Sequence, residues 1–281
     1  MSDFKKNLPK YGIDDVKLAA WEAGKQGIEQ LNFSGAEKYL KKEFPDLNHA
    51  FLSNFECVVC MDEGTAHKDV GGEAKFCMAG SGILYPAKDE AERVQKVAAL
   101  FLRLGIKNVT SHGGCGAAGL AYKRDFPNST PTPEEIEKYG QDWVKKVAEE
   151  MERHGEDARC QNIAAGDMER PPEFHTARVV YWDGIGGFNP NKEIGLPMGF
   201  VIERKFVPAG YAAEELKVAV NIAFGHHGFG KLFSKECPFV IILMAGSTEE
   251  LDNLKKEVEN VLRDLEPYRE GKVKVDGFII G

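Results

Sequence analysis

The sequence predicts an α/β protein, a mainly parallel β-sheet flanked by helices, with an N-terminal helical arm and a C-terminal α/β extension. Three observations carry this. Short apolar runs such as Phe55–Cys60 and Gly105–Ser111 break into Gly- or Asp-rich turns, as strand ends do. Between them lie segments whose apolar residues recur at helical spacing, such as Val94, Val97, Ala98 and Phe101. The two kinds of segment alternate, and alternation means parallel strands joined by helical crossovers.

Taken in order, residues 12–43 read as two helices. Val16, Ala19, Ala20 and Ala23 give the first an apolar stripe, and Ser34-Gly35-Ala36-Glu37 has the form of a capping box that opens the second. Strands are expected near 55–60, 74–79 and 105–111. A helix over about 89–104 stops at Gly105. The Pro- and Asn-rich stretch from Asp125 is a loop. Thr132-Pro133-Glu134-Glu135 then opens a long helix that buries Ile136, Tyr139, Trp143, Val147 and Met151 and closes at His154 and Gly155. Further on, 199–205, 238–245 and 272–280 look like strands, and Ser247 caps a helix carrying Leu251, Leu254 and Val258. No internal repeat at a fixed period is visible. The expected division is an arm over 1–48, an α/β core over 49–188 and an extension over 189–281.

The chemistry sits at two strand ends. Cys60-Met61-Asp62 follows the first strand, and His112-Gly113-Gly114-Cys115 ends the third. Two thiolates and an imidazole are a soft, three-ligand set of the sort that holds zinc with a fourth position open. Sites in open α/β sheets form at the carboxyl ends of strands, so Cys60, His112 and Cys115 can converge on one ion. Cys57 cannot join them, because residues i and i+3 of a strand point to opposite faces. It reads as a core cysteine, as does Cys77.

Cys-x-Asp, then the Gly-rich Ala79-Gly80-Ser81-Gly82 turn, then His-x-x-Cys-Gly occur in this order in the β-class carbonic anhydrases, which this chain resembles over about residues 50 to 185. Related carbonyl sulfide and carbon disulfide hydrolases share the plan. The resemblance implies that Cys60, His112 and Cys115 hold Zn2+, that Asp62 is the catalytic carboxylate beside it, and that Ala177–Gly184 is the fourth core strand and its turn. It implies reversible hydration of carbon dioxide to bicarbonate, with Gly80, Ser81, Gly82 and Gly116 around a pocket for a small substrate. It also implies a homodimer, with N-terminal helices lying across the partner.

One position departs from the family. Cys-x-Asp-x-Arg is the family pattern, and here Gly64 stands at the Arg. In the family that Arg holds the Asp off the metal. Without it Asp62 is expected at the ion, giving a closed, four-ligand site, unless His67, Lys68 or Arg124 supplies the charge. Three readings follow: a carbon dioxide hydratase, a hydrolase of carbonyl sulfide or carbon disulfide, and a non-catalytic zinc protein.

A net charge of −8 with no Lys/Arg block argues against nucleic acid and anionic membrane as partners. Met1-Ser2-Asp3-Phe4-Lys5-Lys6 has no apolar stretch behind it, so no signal peptide is expected, and no run is long enough to span a membrane. Cysteines without a disulfide-like pattern fit the cytoplasm. Gly225-His226-His227-Gly228-Phe229-Gly230-Lys231 matches a phosphate loop, but Leu232 replaces its Ser/Thr and a helix-forming segment precedes it. It reads as a glycine-rich turn; a second reading has His226 or His227 as a proton carrier at the metal pocket.

Overall fold

The structure, a computed structural model, describes residue 10 and residues 12–70 and 74–280. The Met1–Lys6 stretch read for a leader lies outside them. The chain is α/β and carries two four-stranded, all-parallel sheets, each flanked by helices. Two compact units contain them. One comprises Phe51–Pro172 with Gly187–Asn191, and the other Met1–Ala50, Glu173–Gly186 and Lys192–Gly281.

In the first unit β1 (Cys57–Val59), β2 (Lys75–Cys77), β3 (Asn108–His112) and β4 (Arg159–Ile163) form a sheet in the order β2-β1-β3-β4. The one-turn helix α3 (Glu63–Ala66) follows β1, and α4 (Glu90–Leu104) links β2 to β3. Asp89 caps α4 and Gly105 ends it in the left-handed conformation that glycine adopts without strain. The next two helices, α5 (Gly116–Asp125) and α6 (Pro133–Arg153), lead to β4. Thr132 and Glu135 form a capping box that opens α6, and Trp143, Val147 and Met151 are buried.

One expectation needs correction here. The fourth strand of this sheet is Arg159–Ile163; the apolar segment assigned that place, Val179–Asp183, opens the second sheet. Strand β4 was hidden because it is an edge strand whose first four residues are exposed, so it lacks an apolar alternation.

The second sheet has the order β6-β5-β7-β8, from β5 (Val179–Asp183), β6 (Gly199–Ile202), β7 (Phe239–Ala245) and β8 (Val273–Ile279). Helix α7 (Ala209–Phe224) joins β6 to β7, while α8 (Thr248–Leu262) and α9 (Glu266–Arg269) join β7 to β8. Strands β5 and β7 are buried along their whole length, which accounts for their unbroken apolar sequence.

The arm helices α1 (Asp15–Ser34) and α2 (Ala36–Glu43) fold onto the second unit of their own chain. Trp21 meets Phe229 and Phe233 edge-on at 5.0 and 5.2 Å, and Arg178 lies over the Trp21 ring while donating to the Ala20 and Trp21 carbonyls. The buried face of α1 is therefore Lys17, Trp21, Ile28 and Leu31, not the alanine stripe; Val16 is 67% exposed. Burying a Trp, an Ile and a Leu removes far more apolar area from water than burying three alanines. Nor does the Ser34 capping box form. Its hydroxyl donates back to the Gln30 carbonyl, and Gly35 occupies the cap without a side-chain bond.

Candidate metal centre

Strand β1 delivers Cys60 at its carboxyl end, where the chain turns sharply. Asp62 caps α3 by accepting from the Gly64 amide at 2.8 Å, and the Thr65 hydroxyl donates to the Cys60 carbonyl at 2.8 Å. The neighbouring strand β3 ends at His112. A Gly113–Gly114 turn follows, in which the Gly113 amide donates to Ile163 at 3.0 Å and Gly114 takes φ +68°. Cys115 then stands at the N-cap of α5. Because β2 lies on one side of β1 and β3 on the other, these residues leave the sheet where its winding reverses, the usual place for a site.

Cys60, His112 and Cys115 are brought together: their ligand atoms lie within 4.8 Å of one another, and all three residues are buried. His112 Nδ1 lies 2.9 Å from the Gly113 carbonyl, a hydrogen bond in which Nδ1 donates and which leaves Nε2 as the candidate ligand atom. That Nε2 is buried and has no hydrogen-bond partner. A buried imidazole nitrogen left bare between two sulfurs is what a metal ion would satisfy, so the group fits a bound ion. The Cys57 thiol lies apart, 3.9 Å from the Ala74 carbonyl.

Proton affinities within the trio are tied together. The hydrogen bond with Cys115, and then burial, push the Cys60 thiol well up. Cys115 goes down, first through that same bond and then through the backbone amides of Ala118 and Ala117 at the start of α5. Burial pulls His112 down, but the Cys60 and Asp62 charges outweigh it and leave its pKa at about 9. A cation entering such a set displaces the protons that its members share.

Of the pocket residues expected beside the ion, Gly80 sits at the sulfurs. Its amide donates to Cys60 Sγ at 3.2 Å, and a Cβ on it would stand 3.6 Å from Cys115 Sγ. Both Gly80 and Ser81 have left-handed backbones, φ +52° and +50°. Strain at the non-glycine is held by two buried bonds: the Ser81 hydroxyl donates to Thr110 at 2.5 Å, and its carbonyl accepts from Trp143 Nε1 at 3.0 Å. Gly82 packs against Val97, and Gly116 is the exposed first residue of α5.

The premise of the closed-site expectation, an Asp62 with no guanidinium to hold it, does not stand. Arg170 Nε donates to Asp62 Oδ1 and its Nη2 to Oδ2, both at 2.8 Å, in a buried bidentate pair. Burial works against the Arg170 charge, yet the Asp62 bonds, with the charges of Asp62 and Glu63, raise its pKa above the ordinary arginine value. The guanidinium missing at position 64 thus arrives from position 170. Gly64 makes room for it, because a Cβ there would lie 2.7 Å from Arg170 Cγ and 3.0 Å from two Met168 atoms. A backbone bond from the Glu169 amide to the Gly64 carbonyl, 2.9 Å, docks the incoming segment. Among the cations expected in this role, Arg124 pairs with Asp125, and Lys68 offers its carbonyl to Lys75.

The Gly225–Lys231 turn follows helix α7 and belongs to the second unit, which agrees with the glycine-turn reading and not with a phosphate loop. There the His226 carbonyl accepts from Lys17 Nζ. Among the described residues no helix is long and apolar enough to cross a membrane. No family model, curated protein or solved structure matches this chain.

Proposed function

We propose that this chain is a zinc enzyme of the β-class carbonic anhydrase kind that interconverts carbon dioxide and bicarbonate. The observation that carries the reading is the Asp62–Arg170 pair beside the Cys60, His112 and Cys115 group. Bound zinc supplies a water of lowered pKa, about 7 against 15.7 in bulk for carbonic anhydrase with a three-histidine site. Two thiolates donate more charge than histidines, so the value here is higher and a nearby proton acceptor matters more.

Asp62 orients that water by accepting its hydrogen bond. Both of its oxygens are bonded to Arg170 in a buried place, and Oδ1 also accepts from the Gly64 amide. A carboxylate gripped in this way does not swing onto the ion, so the fourth position stays available to water. That argues against the closed, non-catalytic reading. The Gly80 amide steadies Cys60 Sγ, and the His112 bond to Gly113 fixes the imidazole. Metal-analysed protein is tested by stopped-flow hydration of carbon dioxide, with carbonyl sulfide as a second substrate. Zinc-dependent hydration that Cys60→Ser abolishes supports the proposal; zinc-loaded protein that hydrolyses only carbonyl sulfide overturns the substrate, and one inert to both overturns the enzyme.

A further inference from the structure

The second sheet repeats the first. Both are all-parallel and run, in chain order within each sheet, second-first-third-fourth. Their connections after the second strand correspond as well, although the one-turn helix between the first two strands of the first sheet has no α-helical counterpart among the described residues of the second. One long helix joins the second strand to the third in each, α4 and α7. Two helices join the third to the fourth, α5 and α6 in one, α8 and α9 in the other.

Register turns this likeness into residue equivalences. Cys115 caps the helix that follows β3, and Ser247 caps the helix that follows β7, which sets Ser247 against Cys115. Counting back three residues from each cap sets Met244 against His112, and Val240 against Asn108. In the first sheet Asn108 pairs with Cys57; in the second Val240 pairs with Val179. The central strands then align with Trp182 against Cys60. A second observation agrees to within one residue. Asp62 Oδ1 accepts from the amide two residues on, and Asp183 Oδ1 accepts from the amides two and three residues on, at 2.9 and 2.7 Å.

We infer that the second sheet with its crossover helices is a repeat of the metal-binding fold whose ligand positions are now Trp182, Met244 and Ser247, a dormant metal site. The Cys60, His112 and Cys115 group then belongs to one repeat and has no ligand counterpart among the described residues of the other. Trp182 and Met244 are fully buried, so the place of two ligands is taken by apolar core. Ser247 accepts from the Glu250 amide at 3.2 Å, so the place of the third is taken by a helix cap. Within the described residues of this unit no three His, Cys, Asp or Glu ligand atoms cluster. The inference is independent of the reaction proposed above.

The test restores the ligands in the full chain with Trp182→Cys/Met244→His/Ser247→Cys and titrates with Co2+, whose thiolate charge-transfer absorption counts sites. Bound Co2+ should rise from about one to about two per chain, as expected for a second three-ligand site. The band should persist when Cys60 and Cys115 are replaced by serine. A control shifted by one residue, Tyr181→Cys/Leu243→His/Gly246→Cys, should add no ion. If loss of the buried Trp182 unfolds the triple variant, Met244→His/Ser247→Cys should still give a second, weaker Co2+ site. A folded variant that binds one ion only, or a second ion in the shifted control alone, overturns the equivalence.

Discussion

Arg170 holds both oxygens of Asp62 at 2.8 Å from a segment 108 residues further along the chain, and the residue that clears its path is Gly64. Space at one position and charge at the other are two halves of one arrangement. That coupling is measurable without knowing the reaction.

Gly64→Ala should cost about 1–3 kcal/mol, the usual range for overpacking, because its methyl runs into the Arg170 stem. In an Arg170→Ala background most of that cost should vanish, so the double-mutant cycle is non-additive by about 1 kcal/mol or more. Denaturant melts of the four proteins check it. Additivity would mean that the two positions do not share the space.

Replacing Arg170 by Met leaves Asp62 buried without its partner and should cost about 3–5 kcal/mol. Asp62→Asn/Arg170→Met should lose less than Arg170→Met alone, since one stranded charge fewer is left; Glu63, 3.8 Å from Arg170 Nε, loses that neighbour in both variants. Equal losses would place the cost in the Arg170 stem and not in the pair.

Metal content should be about one ion per chain, as for a mononuclear three-ligand site. Cys60→Ser, Cys115→Ser and His112→Ala should each strip it, while Cys57→Ser keeps it, because the Cys57 thiol faces the Ala74 carbonyl. Elemental analysis after dialysis decides; retention in Cys60→Ser with loss in Cys57→Ser would mean the wrong cysteine has been assigned.

The grouping of Cys60, His112 and Cys115 was legible in the sequence because each member stands where an apolar run breaks, and strand ends in α/β sheets converge. Arg170 was not. It comes from an irregular segment, and nothing local marks an arginine that will meet a carboxylate so far away. Strand β4 escaped because exposure removes the apolar pattern by which strands are read, and Val179–Asp183 misled because a fully buried strand looks the same in any sheet. The face of α1 was misread because a run of alanines mimics a stripe while one tryptophan decides what is buried. The repeat left no periodic trace in sequence; strand order and pairing register reveal it.

Gly80→Ala introduces a Cβ 2.8 Å from Ile83 at a left-handed φ, in the turn whose amide donates to Cys60 Sγ. Metal affinity should fall by roughly 10–100-fold, the range for outer-shell partners. Competition against a chromophoric chelator measures this; unchanged affinity would show that the amide does not support the sulfur.

Lys75 supplies a pH signature. It is fully buried, its Nζ donates to the Ala66 and Lys68 carbonyls, and burial brings its pKa from 10.5 to about 8 despite the opposing charges of Cys77 and Cys57. Below about pH 8 both folded and unfolded chains hold this proton. Between there and about pH 10.5 the unfolded chain binds more, so stability rises with pH across that window, by up to about 3 kcal/mol. Lys75→Met lacks this gain. Urea melts of both proteins at the two ends of the window should show the difference moving in favour of the native chain, and a shift the other way would refute the lowered pKa.

The most direct test of the central claim is the rate of carbon dioxide hydration by stopped flow at matched zinc content. The native chain should hydrate it well above the metal-free protein. Arg170→Met and Asp62→Asn, loaded with the same zinc, should lose on the order of 10²-fold or more, the scale of misplacing a group that orients the reacting atoms. A zinc-loaded native protein no faster than its metal-free form, or an Arg170→Met protein as fast as the native one, would contradict the account.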